Sequence, residues 1–447
     1  MLEKLRAHFT YTRFLGLGFL AIILLGTLLL CLPVSSSDGA WTPFVNSLFT
    51  STSATCVTGL VVYDTYSHWS FFGQLVILFL IQTGGIGFMT VVTLFSTLTK
   101  RRISLKERRI LVQSAGNTEI AGIVKLIRRI VYITIAFEGA GACILAVTFC
   151  RDFGIARGIY YAIFHSISAF CNAGFDLMGI NRQFSSLTAY AGNPSVMITI
   201  AMLILIGGIG FLVINDLLTV KFSFKKLHLH SKIALSMTLL LVVLGTALIF
   251  LFEQNYTLKG MPLGKQLLVS FFQSVTPRTA GFNAVELSEL SDSSALLTVI
   301  YMFIGGCPGS TAGGVKTTTV FVLIMSVVAA MRHSKEINVF KRRLEDDAAR
   351  QACAVVCVYL AAFLLGTMAV CALEPAGLKE VLFEVSSAGG TVGLSMGLTG
   401  TLCTASKLIL ALLMYGGRIG VLSFVMMLAE RKPAVQANRP VEKILIG

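Results

Sequence analysis

The sequence predicts an all-α polytopic membrane protein. Four repeats, each an outer span, a short half-span, a glycine loop and a second span, are expected around a pseudo-fourfold pore. Three observations predict it. The 447 residues are 55% hydrophobic and only 13% charged, with a mean hydropathy of +0.81, far from the composition of a soluble domain. Apolar runs near the roughly 20 residues that cross a bilayer recur along the chain. Two glycine landmarks also recur, four times over and in the same order.

The first landmark is a glycine among small residues: Gly59 in "CVTGLVV", Gly174 in "FCNAGFDLMG", Gly281 in "TPRTAGFNAVE" and Gly393 in "GGTVGLSMG", at intervals of 115, 107 and 112 residues. The second is a Gly-Gly pair in an apolar run: Gly84 and Gly85, Gly207 and Gly208, Gly305 and Gly306, Gly416 and Gly417. The pair follows its glycine by 25, 33, 24 and 23 residues.

These landmarks divide the chain into residues 1–99, 100–220, 221–331 and 332–447. In the first repeat the outer span is Phe14 to Leu32, the half-span Trp41 to Ser53, the loop Ala54 to Tyr63 and the second span Phe72 to Leu98. Lys4, Arg6 and Arg13 precede that outer span, but no small-x-small cleavage site follows it, so it reads as a span rather than a secretory signal. The second repeat has Ile127 to Phe149, Ile159 to Phe170 and Val196 to Val220. The third has Lys232 to Phe252, Gly264 to Ser274 and Ala295 to Met331, and the fourth Ala352 to Leu373, Leu378 to Ser386 and Ser406 to Ala429. Each half-span is too short to cross, so it must dip into the membrane and return.

The formal charge of +14 reports topology rather than an acidic partner or nucleic acid. Of 36 basic residues, 26 lie in five places: 3 before the first span, 9 in Lys100 to Arg129, 4 in Lys221 to Lys232, 6 in Arg332 to Arg350 and 4 after Glu430. The positive-inside rule puts these segments and both termini in the cytoplasm, so every half-span enters from the outer face.

A non-helical loop at membrane depth is tolerated where it is shielded or lines a pathway. Carbonyls aimed into a pore can replace the hydration shell of an alkali cation, and glycine reaches the backbone angles that aim them. The expected filter is therefore Val57, Thr58 and Gly59; Asn172, Ala173 and Gly174; Thr279, Ala280 and Gly281; and Thr391, Val392 and Gly393. The Gly-Gly pairs read instead as small residues that let helices approach.

The loops "TSATCVTGL", "SAFCNAGFD", "TPRTAGFN" and "SSAGGTVGLS", with "GGCPGSTAGGVKTTT", resemble those of the K+ transporter superfamily that contains TrkH, KtrB and the plant and fungal HKT and Trk proteins. The resemblance covers essentially the whole chain. Its length and early first span are similar to KtrB-type members, whereas TrkH proteins carry an additional N-terminal helix pair. The resemblance implies a Ktr-type K+ uptake subunit of a bacterial plasma membrane, with K+ as the metal at the filter and Na+ dependence to be tested. It also implies a homodimer in the lipid bilayer and a cytoplasmic KtrA-like regulatory ring. No cofactor is expected in this chain; a regulatory nucleotide would sit on the ring.

"GSTAGGVKT" is not a phosphate-binding P-loop, because Val315 separates glycine from lysine and no strand precedes it. In the third repeat this stretch breaks a second span longer than a bilayer needs. The resemblance makes it an intramembrane gate, with Gly305, Gly306, Gly309, Gly313, Gly314 and Lys316 in the loop. Arg418 joins them, since an arginine in mid-span costs about 2.5 to 3.5 kcal/mol on insertion scales and should face the pore or an acid. Counted from the Gly-Gly pairs, Cys307 and Arg418 are equivalent, which predicts that loop and guanidinium meet below the filter.

Other polar residues are expected to be structural or solvated. Glu138 suits a partner role at an interface, and Asp216 lies near the inner end of its span. Asp64, Asp176 and Glu286 follow their filter glycines and read either as an acidic outer mouth or as loop charge. His8, His68, His228, His230 and His333 fall in loops or at membrane edges, and His165 in a half-span. The ten cysteines, Cys353 and Cys357 included, have no CxxC pair and read as small residues buried in helices. No catalytic constellation assembles, so an enzyme is not expected. The alternative is a secondary transporter of another small solute or cation, which would usually show inverted repeats and concerted intramembrane carboxylates.

Overall fold

The computed structural model describes residues 11–87, 123–180, 182–334, 336–345 and 347–420. The expected continuations of the second spans to Leu98 and Ala429, the basic stretch after Lys100 and both termini lie outside the described residues.

One succession of helices recurs. It opens with α1 (Tyr11–Cys31), α2 (Phe44–Thr55) and α3 (Phe71–Ile86). Then come α4 (Ile123–Phe153), α5 (Ile155–Phe170), α6 (Pro194–Ile209) and α7 (Phe211–Thr219). The third set is α8 (Leu229–Glu253), α9 (Leu263–Val275), α10 (Asp292–Phe303) and α11 (Thr317–Met331), and the fourth α12 (Ala348–Leu373), α13 (Leu378–Gly390) and α14 (Thr404–Ile419). Between α11 and α12 a two-residue antiparallel hairpin pairs Asn338–Val339 with Arg342–Arg343.

The outer helices are built to cross. Val124–Phe153, Leu229–Glu253 and Ala348–Leu373 are each long and apolar enough to span a bilayer. The half-helices α2, α5, α9 and α13 have 12, 16, 13 and 13 residues, too few for the roughly 20 a crossing needs. Three of the second helices start on a side-chain cap. Ser70, Asn193 and Ser291 accept from the backbone N–H groups of Gly73, Ser195 and Ser294 at 3.2, 3.1 and 3.2 Å, and Pro194 occupies the first turn of α6.

The second span of the second repeat is not continuous, contrary to the single Val196 to Val220 run expected. It bends by 92° between α6 and α7 at Gly210, whose φ of 102° ends the helix. α3 and α14 end the same way, at Gly87 (φ 90°) and Gly420 (φ 94°). A right-handed helix cannot continue through such angles, which only glycine adopts cheaply.

Packing closes these units into a ring. Each half-helix lies against the second helix of the preceding set: α5 on α3, α9 on α6, α13 on α10, and α2 on α14. Two bonds fasten the first set to the last. Lys407 Nζ donates to Asn46 Oδ1 at 3.1 Å and the Tyr415 hydroxyl to the Gly16 carbonyl at 2.8 Å. The half-helices therefore point their C-terminal ends at a common centre.

Candidate functional site

At that centre each half-helix ends in a turn that is the same in three sets. Thr58, Ala173 and Val392 N–H bond back to the carbonyls of Ser53, Ser168 and Ser387, all at 2.8 Å, and Val57, Asn172 and Thr391 N–H to Ala54, Ala169 and Ala388, all at 3.1 Å. This is a Schellman cap, normally completed by a left-handed glycine. Here the left-handed residue is Val57 (φ 59°), Asn172 (φ 59°) or Thr391 (φ 53°), and Thr279 (φ 73°) takes that place in the third loop. A β-branched residue there is strained by roughly 1–2 kcal/mol, and such strain concentrates at functional sites. Pro277 alters the third cap, so Ala280 N–H reaches Thr276 O at 2.9 Å instead.

Two residues on, Gly59, Gly174, Gly281 and Gly393 are left-handed again, with φ of 96°, 69°, 80° and 96°. Thr58, Ala173, Ala280 and Val392 between them are not. Alternating hand turns successive carbonyls toward one side of the strand. The loops meet in a closed circle. A Cβ on Gly174 would lie 2.8 Å from the Ala280 oxygen and one on Gly281 2.6 Å from the Val392 oxygen, while Gly393 abuts the Thr58 oxygen and Gly59 that of Ala173. Side chains lock the loops from behind: Ser53 and Ser387 hydroxyls accept from Gly59 and Gly393 N–H at 3.0 and 2.9 Å, and Asn172 and Thr279 bond to each other at 3.2 Å.

Above the circle opens a vestibule of about 290 Å³ lined by all four glycines together with Asp176, Arg182 and Glu286. Asp64 is not part of it. Its carboxylate is buried and accepts from the N–H groups of Tyr66, Ser67 and Phe184 at 3.1, 2.9 and 3.0 Å, so it is a loop anchor.

Below the circle, Ile304 to Lys316 runs as an irregular loop between α10 and α11. Its ends pair as a parallel bridge of Ile304 with Val315, with Gly305 N–H on Val315 O at 2.9 Å. The bend of the second set holds its middle: Cys307 and Thr311 N–H donate to Gly208 and Gly207 carbonyls at 2.9 and 3.3 Å, and Phe211 N–H to Gly309 O at 2.9 Å. Gly309 and Gly314 are left-handed, with φ of 68° and 66°. Gly305 touches Gly313, Gly306 touches Ala312, and Gly313 packs on the Thr391 hydroxyl. Lys316 Nζ returns to Ala312 O at 2.7 Å. The Arg418 guanidinium donates to Thr311 O in this loop and to Gly84 and Gly85 carbonyls at the end of α3. The loop and Arg418 thus touch the underside of all four sets.

Glu138 sits behind the second loop, taking hydrogen bonds from Gln82 Nε2 at 3.1 Å and the Cys171 thiol at 3.8 Å. It joins α4, α3 and the turn after α5. Glu138→Ala should leave buried donors unpaired at about 1–3 kcal/mol. The expected result is a lower unfolding temperature in detergent, largely restored by Glu138→Gln.

The chain matches the family model described as TrkH, cation transport protein, over residues 15–438. The chain belongs to the TrkH family of cation transport proteins. It is 38% identical to the potassium/sodium uptake protein NtpJ of Enterococcus hirae, over 100% of this chain and 99% of that protein. It is 39% identical to Ktr system potassium uptake protein B of Bacillus subtilis, over 95% and 94%. Its fold is similar to the crystal structure of the potassium transporter TrkH from Vibrio parahaemolyticus, with a TM-score of 0.72 at 19% identity, covering 92% of this chain and 84% of that one.

In this TrkH-family chain several expectations need correction and some residues went unread. Gly84, Gly207 and Gly417 are the glycines that press on the carbonyls of Thr55, Phe170 and Gly389. Arg418 therefore matches Gly85 and Gly208: the fourth pair is displaced by one residue relative to the first two, and Cys307 lies past the end of α10. The cysteines are not all interior; Cys56, Cys171 and Cys307 are buried, whereas Cys143, Cys353, Cys357 and Cys371 sit on exposed helix faces. Asp216 does not face solvent but accepts from His228 N–H and the Ser231 hydroxyl at 3.0 and 2.6 Å at the start of α8. His165 is buried and receives Leu177 N–H at 3.3 Å, and burial holds the His68 imidazole below its ordinary pKa. The breaks at Gly87, Gly210 and Gly420 had a signal, the third glycine after each pair. Nothing in the residue types marked Val57, Thr279 and Thr391 as left-handed, whereas Asn172 is of a type that adopts that conformation readily.

Proposed function

We propose that this protein is the membrane ion-conducting subunit of a Ktr-type potassium uptake system in a bacterial plasma membrane. K+ sheds water onto the carbonyls of the four loops, from Val57, Thr58 and Gly59 through Asn172, Ala173 and Gly174 and Thr279, Ala280 and Gly281 to Thr391, Val392 and Gly393. The observation that carries this reading is the closed circle in which each glycine abuts a carbonyl of the next loop. The names of its relatives, potassium uptake proteins in two bacteria, support the choice of ion.

The loop from Gly305 to Lys316, with Arg418, is the gate. Cytoplasmic termini and basic loops offer a docking face for a KtrA-like ring, with the nucleotide bound there and the chain working as a homodimer. The test is K+ uptake by a bacterium that lacks its own uptake systems, with and without a KtrA-type subunit. Growth at low K+ should require this chain, and flux should respond to ATP or ADP only with the ring present. Full nucleotide gating by the isolated subunit, or coupled exchange of another solute, would overturn the reading.

A further inference from the structure

The vestibule above the glycine circle holds a cation of its own. Arg182 Nη1 lies 3.1 Å from Glu286 Oε2, and both side chains line the cavity into which the four glycines open. The arginine belongs to the segment after the second loop and the glutamate to the segment after the third. Neither segment is loosely placed. Phe184 N–H is fixed to Asp64 at 3.0 Å, Leu187 N–H to the Asn283 carbonyl at 3.0 Å and Asn283 N–H to the Ser186 hydroxyl at 3.2 Å. Phe184 and Ser186 are held left-handed, with φ of 59° and 46°, so this backbone is shaped to bring Arg182 across the mouth.

We propose that the Arg182–Glu286 pair sets the affinity with which external cations enter: Arg182 is a tethered competitor that masks Glu286 from arriving K+. The inference rests on the K+ transport reading and adds to it two residues outside the filter. Both side chains are substantially exposed, at 72% and 41%, so the pair is weak and opens readily. An ion reaching the vestibule therefore finds Glu286 intermittently free, with Asp176 lining the same cavity beside the second loop. Removing the guanidinium exposes one negative charge; removing the carboxylate exposes one positive charge; removing both returns the mouth to its original net charge. Because entry precedes the filter and gate, the pair acts on the external concentration giving half-maximal uptake and not on the maximal rate.

The experiment measures Rb+ uptake into proteoliposomes at low and high ionic strength. Arg182→Gln should lower the half-saturating concentration by about twofold to fivefold, the scale of one solvated charge a few ångströms away. Glu286→Gln should raise it by a similar factor, and the double variant should return to the parent value. All shifts should fade as salt rises, since screening shortens the reach of exposed charges. Shifts of the same sign in the two single variants, a change confined to the maximal rate, or effects insensitive to salt would overturn the proposal. A parent protein that took up no Rb+ would instead count against the transport reading itself.

Discussion

Gly59→Ser is expected to lower the preference for K+ over Na+ by about tenfold, the effect of losing about 1.4 kcal/mol of differential binding. The backbone at Gly59 is left-handed with φ of 96°, where a side chain costs roughly 1–2 kcal/mol. The added Cβ would also run into the Ala173 carbonyl oxygen, with Gly174 Cα at 3.2 Å behind it. Both can be relieved only by turning a carbonyl of the first or second loop out of the circle. The ion nearest in size to the intact circle loses most by this, and a smaller ion that keeps more of its water loses less. Gly393, equally crowded by Thr58, should behave like Gly59, whereas Gly174 and Gly281 have slightly more room. Competition of Na+ against Rb+ uptake reads the effect directly. An unchanged preference in a folded Gly59→Ser protein would mean that the circle does not select.

Arg418→Gln should raise basal flux without a regulatory partner by an order of magnitude or more. The guanidinium fastens Thr311 of the loop to Gly84 and Gly85 at the end of α3, so its loss frees the loop at one point. It also removes a positive charge from the path. Two unit charges 4 Å apart interact by about 4 kcal/mol at an effective dielectric of 20, and each 1.36 kcal/mol of barrier is about tenfold in rate. Deleting residues between Gly306 and Gly313 should act in the same direction, because Cys307, Gly309 and Thr311 make the bonds to Gly208, Phe211 and Gly207. Selectivity should be largely retained in both variants, since Arg418 bonds only to Thr311, Gly84 and Gly85 and the deletion leaves in place Gly313, which packs on Thr391 of the filter. If both folded proteins conduct no faster than the parent without partner, the loop is not the gate.

The four-part plan was legible because membrane burial writes itself into sequence coarsely: spans by length and apolarity, half-spans by shortness, loops by their glycines. Helix ends were harder to read. α5 begins at Ile155, four residues before the expected Ile159, because the turn at left-handed Gly154 is short and leaves no polar linker. Hydropathy alone hid the bend at Gly210 in an unbroken apolar stretch, since it has no term for direction; the glycine after the pair was the one mark of it. Arg418 was found because a buried charge is expensive, and its bond to a carbonyl of the loop was expected with it; the Gly84 and Gly85 carbonyls were not, because carbonyls carry no residue identity. The left-handed Val57 and Thr391 were invisible for the same reason: the neighbouring loops impose that conformation, and their own side chains disfavour it.

The closure of the first set on α14, fastened by Lys407 to Asn46 of α2 and by Tyr415 to Gly16 of α1, bears on how such a chain can be made. Synthesis delivers the first half-helix long before its final neighbour exists, the two bonds spanning 361 and 399 residues of chain. Until translation has passed Tyr415, the flank of α2 that α14 will cover must be sheltered by lipid, the insertion machinery or a chaperone. A ribosome that stops early leaves an open arc rather than a smaller working channel. Completion of the polypeptide is therefore what closes the ring.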